Sequence, residues 1–145
     1  MKKILVILTI VASFYTATSY AKPATPTVVA QALQTQFTDA KNISWSEVNN
    51  LYKAQFDLND QTLVAYFNGE GKWVASARNV TALQLPILLQ TNLKNSYASY
   101  DVLSVMEVDN EDGVTYYVTA ENGKKMVQLK SSDYGSWNKY EKAEL

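Results

Sequence analysis

Ser136 and Lys139 stand at Ser-x-x-Lys spacing, a pairing in which the amine can draw the proton from the hydroxyl. That chemistry needs both groups on one face of a helix. The segment Ser136 to Tyr140 reads as a strand, where residues at this spacing point to opposite faces. Two oxygen-rich clusters follow the same logic: Asp57, Asn59 and Asp60 in one turn, and Asp109, Glu111 and Asp112 before Gly113 in another. Such loops can hold calcium, but the ligand spacing and the central glycine of a calcium loop are missing, so solvated turns are expected. Paired carboxylates for glycoside hydrolysis would have to converge in a cleft, whereas these acids sit mostly in turns and toward the C-terminus. The chain has no His and no Cys. The usual general base near neutral pH, the commonest metal ligand, thiol nucleophiles and disulfides are therefore all excluded. No catalytic residue, metal ligand or cofactor is expected.

Charge narrows the partners. The chain carries 13 Lys and Arg against 14 Asp and Glu, and Arg78 is its single arginine. A nucleic-acid binder needs a basic face to neutralise phosphates, and this chain offers none. Two of the lysines, Lys2 and Lys3, precede an apolar run from Ile4 to Phe14. Ser19-Tyr20-Ala21 then places small side chains at the −3 and −1 positions of a cleavage site. This is the three-part pattern of a secretory signal peptide over residues 1–21. The run is too short to span a bilayer, which takes about 20 apolar residues. The mature chain, residues 22–145, is expected to be a single periplasmic or secreted domain with no membrane span.

The elements that must position any site follow from periodicity. Thr25 offers a helix cap and Pro26 a favoured first helical residue. Val29, Leu33 and Phe37 then recur at four-residue spacing, which predicts a helix from Pro26 to about Thr38. Beyond it the period drops to two: Tyr52, Ala54 and Phe56 alternate with Lys53, Gln55 and Asp57, as in a half-buried antiparallel strand. Strands are expected over Ile43–Val48, around Tyr52–Phe56, and over Thr62–Phe67 and Lys72–Ala77. The order then repeats. Pro86 opens a helix carrying Leu89, Leu93 and Tyr97, followed by strands at Val102–Asp109, Val114–Glu121, Lys124–Leu129 and Ser136–Tyr140. The dipeptide Asn122-Gly123 is a strong hairpin signal.

The halves superpose by counting. Sixty positions separate Pro26 from Pro86, Leu33 from Leu93, Phe37 from Tyr97 and Ser44 from Ser104. After a longer hairpin in the second half the offset becomes sixty-four, and Tyr52 meets Tyr116, Gly71 meets Gly135, and Trp73 meets Trp137. An internal duplication is the reading, with repeat one over residues 26–79 and repeat two over residues 80–145. The fold class is α+β: two tandem helix-plus-antiparallel-sheet repeats, with the helices packed on one face of the sheet.

Several of these motifs in sequence resemble the PepSY-like proteins. They are the Trp-bearing strand Ile43-Ser44-Trp45, the alternating Tyr52-x-Ala54-x-Phe56, the run Phe67-Asn68-Gly69-Glu70-Gly71-Lys72-Trp73, and Leu85-Pro86 opening the second helix. The resemblance implies a small secreted or periplasmic protein with a fold similar to beta-lactamase inhibitory protein. It also implies a role in binding or inhibiting other proteins. Asp133-Tyr134-Gly135-Ser136-Trp137 departs from the Asp-Gly-Lys type of ending seen in tidier members.

Alternation sends Tyr52, Ala54, Phe56, Leu63, Ala65 and Phe67 toward the first helix, with Tyr116, Val118, Ala120, Val127 and Leu129 their counterparts. That leaves Val64, Tyr66 and Tyr117 on the face turned from the helices, among Lys53, Gln55, Thr115 and Thr119. Tyrosine gives large contact area at low entropic cost. These three residues are the partner-binding candidates, expected on an exposed face that receives another protein. The alternative is an envelope accessory or sensor protein that binds an ion, such as calcium, or a small ligand through the acidic turns.

Overall fold

A computed structural model of the chain describes residues 24–140, so the signal-peptide reading lies outside the described residues. The chain divides into two compact units, Met1–Arg78 and Asn79–Leu145. Among the described residues no helix is long and apolar enough to cross a membrane.

The first unit opens with helix α1 (Thr27–Gln36), which buries Val29 and Leu33. Pro26 occupies the cap position with ψ 141°, not the first helical turn, and Thr25 makes no cap. The ring fixes φ but leaves ψ free, and the extended ψ here turns the chain into the helix from outside. Three complete strands follow, β1 (Lys41–Val48), β2 (Leu51–Leu58) and β3 (Gln61–Phe67), with β4 (Trp73–Val80) closing an antiparallel meander. The first two hairpins turn on two residues each, Asn49-Asn50 and Asn59-Asp60, all four at positive φ between 50° and 64°. That backbone matches strand twist, and Asn and Asp tolerate it better than other residues with a side chain. The third turn is held by Asn68, whose Oδ1 accepts from the amides of Glu70 and Lys72 at 3.0 and 2.9 Å. Gly71 completes it at φ +80°, where a Cβ would lie 3.0 Å from the Val28 carbonyl oxygen. The core sits between α1 and one face of the meander: Val29 and Leu33 against Ala54, Phe56, Ala65 and Phe67. Phe37 packs on Phe56 with ring centroids 4.9 Å apart.

In the second unit a short 3-10 turn (Ala82–Gln84) with a Thr81–Gln84 capping box leads into α2 (Ile87–Ser96). Both ends of α2 stand sixty positions beyond those of α1. Strands β5 (Asp101–Asn110), β6 (Gly113–Glu121), β7 (Met126–Ser131) and β8 (Asn138–Lys139) form the second meander. Leu89 and Leu93 of α2 pack on Val105, Tyr116, Val118, Ala120 and Leu129. The inward residues are those that alternation expects in both units.

Two of the boundaries that differ from expectation have a visible cause. Strand β7 begins at Met126, not Lys124, because Asn122 Oδ1 accepts from the amides of Lys124 and Lys125 and stretches the turn. Strand β8 has two residues instead of the stretch Ser136–Tyr140, because Asp133 takes the amides of Gly135 and Ser136 that a longer strand would offer. The end of the chain is instead fastened to the helix: Trp137 Nε1 donates to the Leu89 carbonyl at 3.0 Å, and Asn92 Nδ2 donates to the Gly135 carbonyl.

Candidate functional site: the sheet faces turned from the helices

The Ser136–Lys139 pair dissolves on inspection. Ser136 lies in the loop before β8, and its hydroxyl donates to Asp133 Oδ2 at 2.6 Å. Asp133 Oδ1 also accepts from Ser131 Oγ and from two amides. The Ser136 hydroxyl first, then the Gly135 and Ser136 amides, hold this carboxyl far below the ordinary aspartate range. A hydroxyl given to such a carboxylate, with no lysine against it, is a structural donor and not a nucleophile.

The first acidic turn forms an open depression lined by Asp39, Lys41, Asn42, Asp57, Asn59 and Asp60. Asp57 is already engaged: Asn42 Nδ2 donates to one oxygen at 2.9 Å and Thr62 Oγ1 to the other at 2.8 Å, and these bonds lower its pKa. The cationic Lys41 shares the depression. Among the described residues no three His, Cys, Asp or Glu side chains come together as a metal site would require.

The strand registers place the partner-binding candidates. In the first unit Lys53, Tyr66 and Ala75 form one row across β2, β3 and β4, and Gln55, Val64 and Ala77 form the next. In the second unit Met106, Tyr117, Lys130 and Asn138 form a row across β5 to β8, with Val108 and Thr115 beside it. All three candidates lie on the face turned from their unit's helix, as alternation requires. Their expected exposure is corrected by the structure: Val64, Tyr66 and Tyr117 retain only 1%, 2% and 5% of their accessible surface. The reason is visible in the rows. Weighing tyrosines against lysine, glutamine and threonine leaves out Ala75, Ala77, Met106 and Val108, and these are buried too. Lys53 and Thr115, expected beside them on an exposed face, are buried as well, at 7% and 9%.

Tyr117 has further neighbours that sequence reasoning missed. Tyr140 meets its ring edge-on with centroids 5.2 Å apart, and Lys130 Nζ stands 5.9 Å from its centroid. The Tyr140 amide donates to the Gln128 carbonyl at 2.7 Å, which holds residue 140 against β7. Burial first, and then the charge of Tyr140, push the Tyr117 phenol far up. Its Oη is one of two buried side-chain polar atoms without a hydrogen-bond partner among the described residues, the other being Trp73 Nε1. The Lys130 signal was present as strand alternation from Leu129. The Tyr140 signal was not, because its placement depends on the Asp133 loop. Elsewhere in the second unit, Leu83, Ile87 and Leu88 stand 85%, 72% and 61% exposed on the 3-10 turn and the first turn of α2, where Gln90 Nε2 donates to the Leu83 and Leu85 carbonyls at 3.1 and 2.7 Å.

No protein-family model matches the chain, and no curated protein matches it. Solved structures do. A BLIP-like protein from Bacteroides fragilis is 23% identical with a TM-score of 0.73, the match covering 84% of this chain and 88% of that one. A protein from Bacteroides eggerthii, described as periplasmic, is 20% identical with a TM-score of 0.72, covering 84% and 89%. A DUF2874 family protein from Bacteroides uniformis is 20% identical with a TM-score of 0.71, covering 77% and 85%. At these identities the likeness is one of fold, and the chain has the BLIP-like α+β fold.

Proposed function

We propose that this chain is an exported, non-catalytic binding protein whose partner is another protein, engaged on the sheet faces turned from the helices. One observation carries the reading. Each unit reserves one face of its meander for its helix, and the other face sets tyrosine among polar side chains: Tyr66 beside Lys53 and Gln55 in the first unit, Tyr117 beside Lys130, Asn138 and Gln128 in the second. Tyrosine in such company is the composition that protein interfaces favour. The engagement of the Ser136 hydroxyl and of Asp57 supports a role without catalysis or ion binding. Cleavage after residue 21, a single mature domain over residues 22–145 with repeats over 26–79 and 80–145, and a PepSY-like affiliation belong to the same reading, on the sequence motifs that suggest them. The BLIP-like and periplasmic neighbours agree with binding and with export.

The test replaces the exposed Gln55 by Arg on the first unit's face and Ile87 by Glu at the exposed start of α2, each in the natively exported protein. Partner capture from cell-envelope extract should be lost with Gln55→Arg and kept with Ile87→Glu, while circular dichroism shows both folded. Capture kept by a folded Gln55→Arg protein, or lost only with Ile87→Glu, would move the partner surface off the sheet face.

A further inference from the structure

We propose that the exposed apolar patch at the start of α2, made by Leu83, Ile87 and Leu88, pairs this chain with a second copy of itself. The patch is separate from the sheet face above, because α2 covers the opposite side of its meander. Its three side chains come from six successive positions. Gln90 ties them together: it follows Ile87 by one helical turn, and its Nε2 donates to the Leu83 and Leu85 carbonyls. The duplication shows that the fold does not require this surface. Sixty positions earlier, α1 sets Thr27 and Val28 where α2 sets Ile87 and Leu88, and both helices bury the same two apolar positions. Among the described residues, Val28 is the one exposed large apolar side chain of the first unit, against seven in the second. A lone exposed leucine is ordinary. Three such residues together present about 400 Å² of apolar surface, a patch size that is often functional.

Charge selects the occupant. No charged residue lies between Arg78 and Lys94, so the segment has no cation to offer a lipid headgroup and no charge to offer a charged partner. Val102, Leu103 and Met126, exposed elsewhere in the second unit, differ: Asp101, Glu121, Lys124 and Lys125 stand beside them in register or sequence. A second copy matches the α2 patch, apolar against apolar, with no charge buried unpaired on either side. The whole chain is close to neutral, with 13 Lys and Arg against 14 Asp and Glu, so two copies do not repel at a distance. The contact is isologous, each copy giving the other the same residues. Two patches bury about 800 Å² of apolar surface, and the exposed Gln84 and Thr91 at the rim carry the total past about 1,000 Å². That is the lower end for a specific interface, so the dimer is weak, with a Kd of about 10–100 μM.

Sedimentation equilibrium of the natively exported protein, from about 1 to about 200 μM, should show the mass rising from one chain toward two. Leu83→Glu and Ile87→Glu should each weaken dimerisation about tenfold or more, and Ile87→Thr, which copies the first unit, about threefold. Met126→Glu, exposed elsewhere in the second unit, should leave it unchanged. Circular dichroism should show every variant folded, since none of these side chains is buried. A single-chain mass throughout the range overturns the pairing. So does a dimer indifferent to both Glu variants, or one disrupted equally by Met126→Glu. A chain that stays single but floats with phosphatidylglycerol vesicles, and loses them with Ile87→Glu, gives the patch to a lipid surface and overturns the second copy. The capture assay above separates the two faces: an Ile87→Glu protein that is single yet still captures its partner supports the pairing and leaves the sheet face intact. Capture lost with Ile87→Glu from a chain that never dimerises gives the patch to the partner and overturns the second copy.

Discussion

The duplication supplies an internal control for one hydrogen bond. Trp73 and Trp137 occupy matching positions at the end of each repeat, both half-buried against their unit's core. Trp137 Nε1 donates to the Leu89 carbonyl at 3.0 Å, whereas Trp73 Nε1 is buried without a partner. Changing either residue to Phe removes the same atoms, so the packing loss is similar. At Trp137 the change also removes a hydrogen bond worth a net of about 0.5–1.5 kcal/mol. At Trp73 it removes an unsatisfied donor whose burial costs about 1–3 kcal/mol. Trp137→Phe should therefore destabilise by about 2–4 kcal/mol more than Trp73→Phe. Urea unfolding followed by far-ultraviolet circular dichroism measures this without depending on the fluorophore removed. If Trp73→Phe costs as much as Trp137→Phe, or more, the hydrogen-bond reasoning is wrong and packing alone governs both sites.

Gly71→Ala should destabilise by about 1–3 kcal/mol, since alanine is strained at φ +80° and its methyl would press on the Val28 carbonyl at 3.0 Å; a melt within error of the parent would refute this. Leu89→Ala, at a fully buried helix position, should cost about 2–5 kcal/mol, while Ile87→Ala, 72% exposed two residues earlier, should stay within about 0.5 kcal/mol; denaturant midpoints report both. The Asp133 carboxyl is depressed in the folded protein, so its contribution is present above the ordinary value of 3.8 and fades as pH falls below it. Asp133→Asn should lower stability at pH 7 and flatten the acid limb of a stability–pH profile, and an unchanged limb would count against the loop's role. Calorimetric titration with calcium should give no one-site micromolar isotherm, given the engagement of Asp57; such an isotherm would favour the ion-binding alternative.

The helices, the alternation of the strands and the two-unit order follow from spacing that the chain carries locally. Leu33 and Leu93 recur at helical intervals, and Phe56 and Val118 at strand intervals, because burial of one face is the main force ordering each element. The asparagines at positions 49, 50 and 59 bend the chain where they stand because their backbone tolerates positive φ. These local preferences act over a few residues, so they can be read one window at a time.

The placement of side chains from distant segments is another matter. Nothing near Ser136 in sequence says that its hydroxyl belongs to Asp133 and not to Lys139, or that this loop shortens β8 and brings Tyr140 onto Tyr117. Nor does alternation say whether the second face is wet. It assigns Val64, Tyr66 and Tyr117 to a face correctly, but burial depends on the whole row, and Ala75, Ala77, Met106 and Val108 come from other strands. Sequence by itself determined the periods, and with them the elements and the inward residues, because local backbone preference and one-sided burial suffice for those. Only the tertiary structure decided which polar atoms were left without partners and which apolar rows were withdrawn from water, because both depend on atoms brought together across tens of residues.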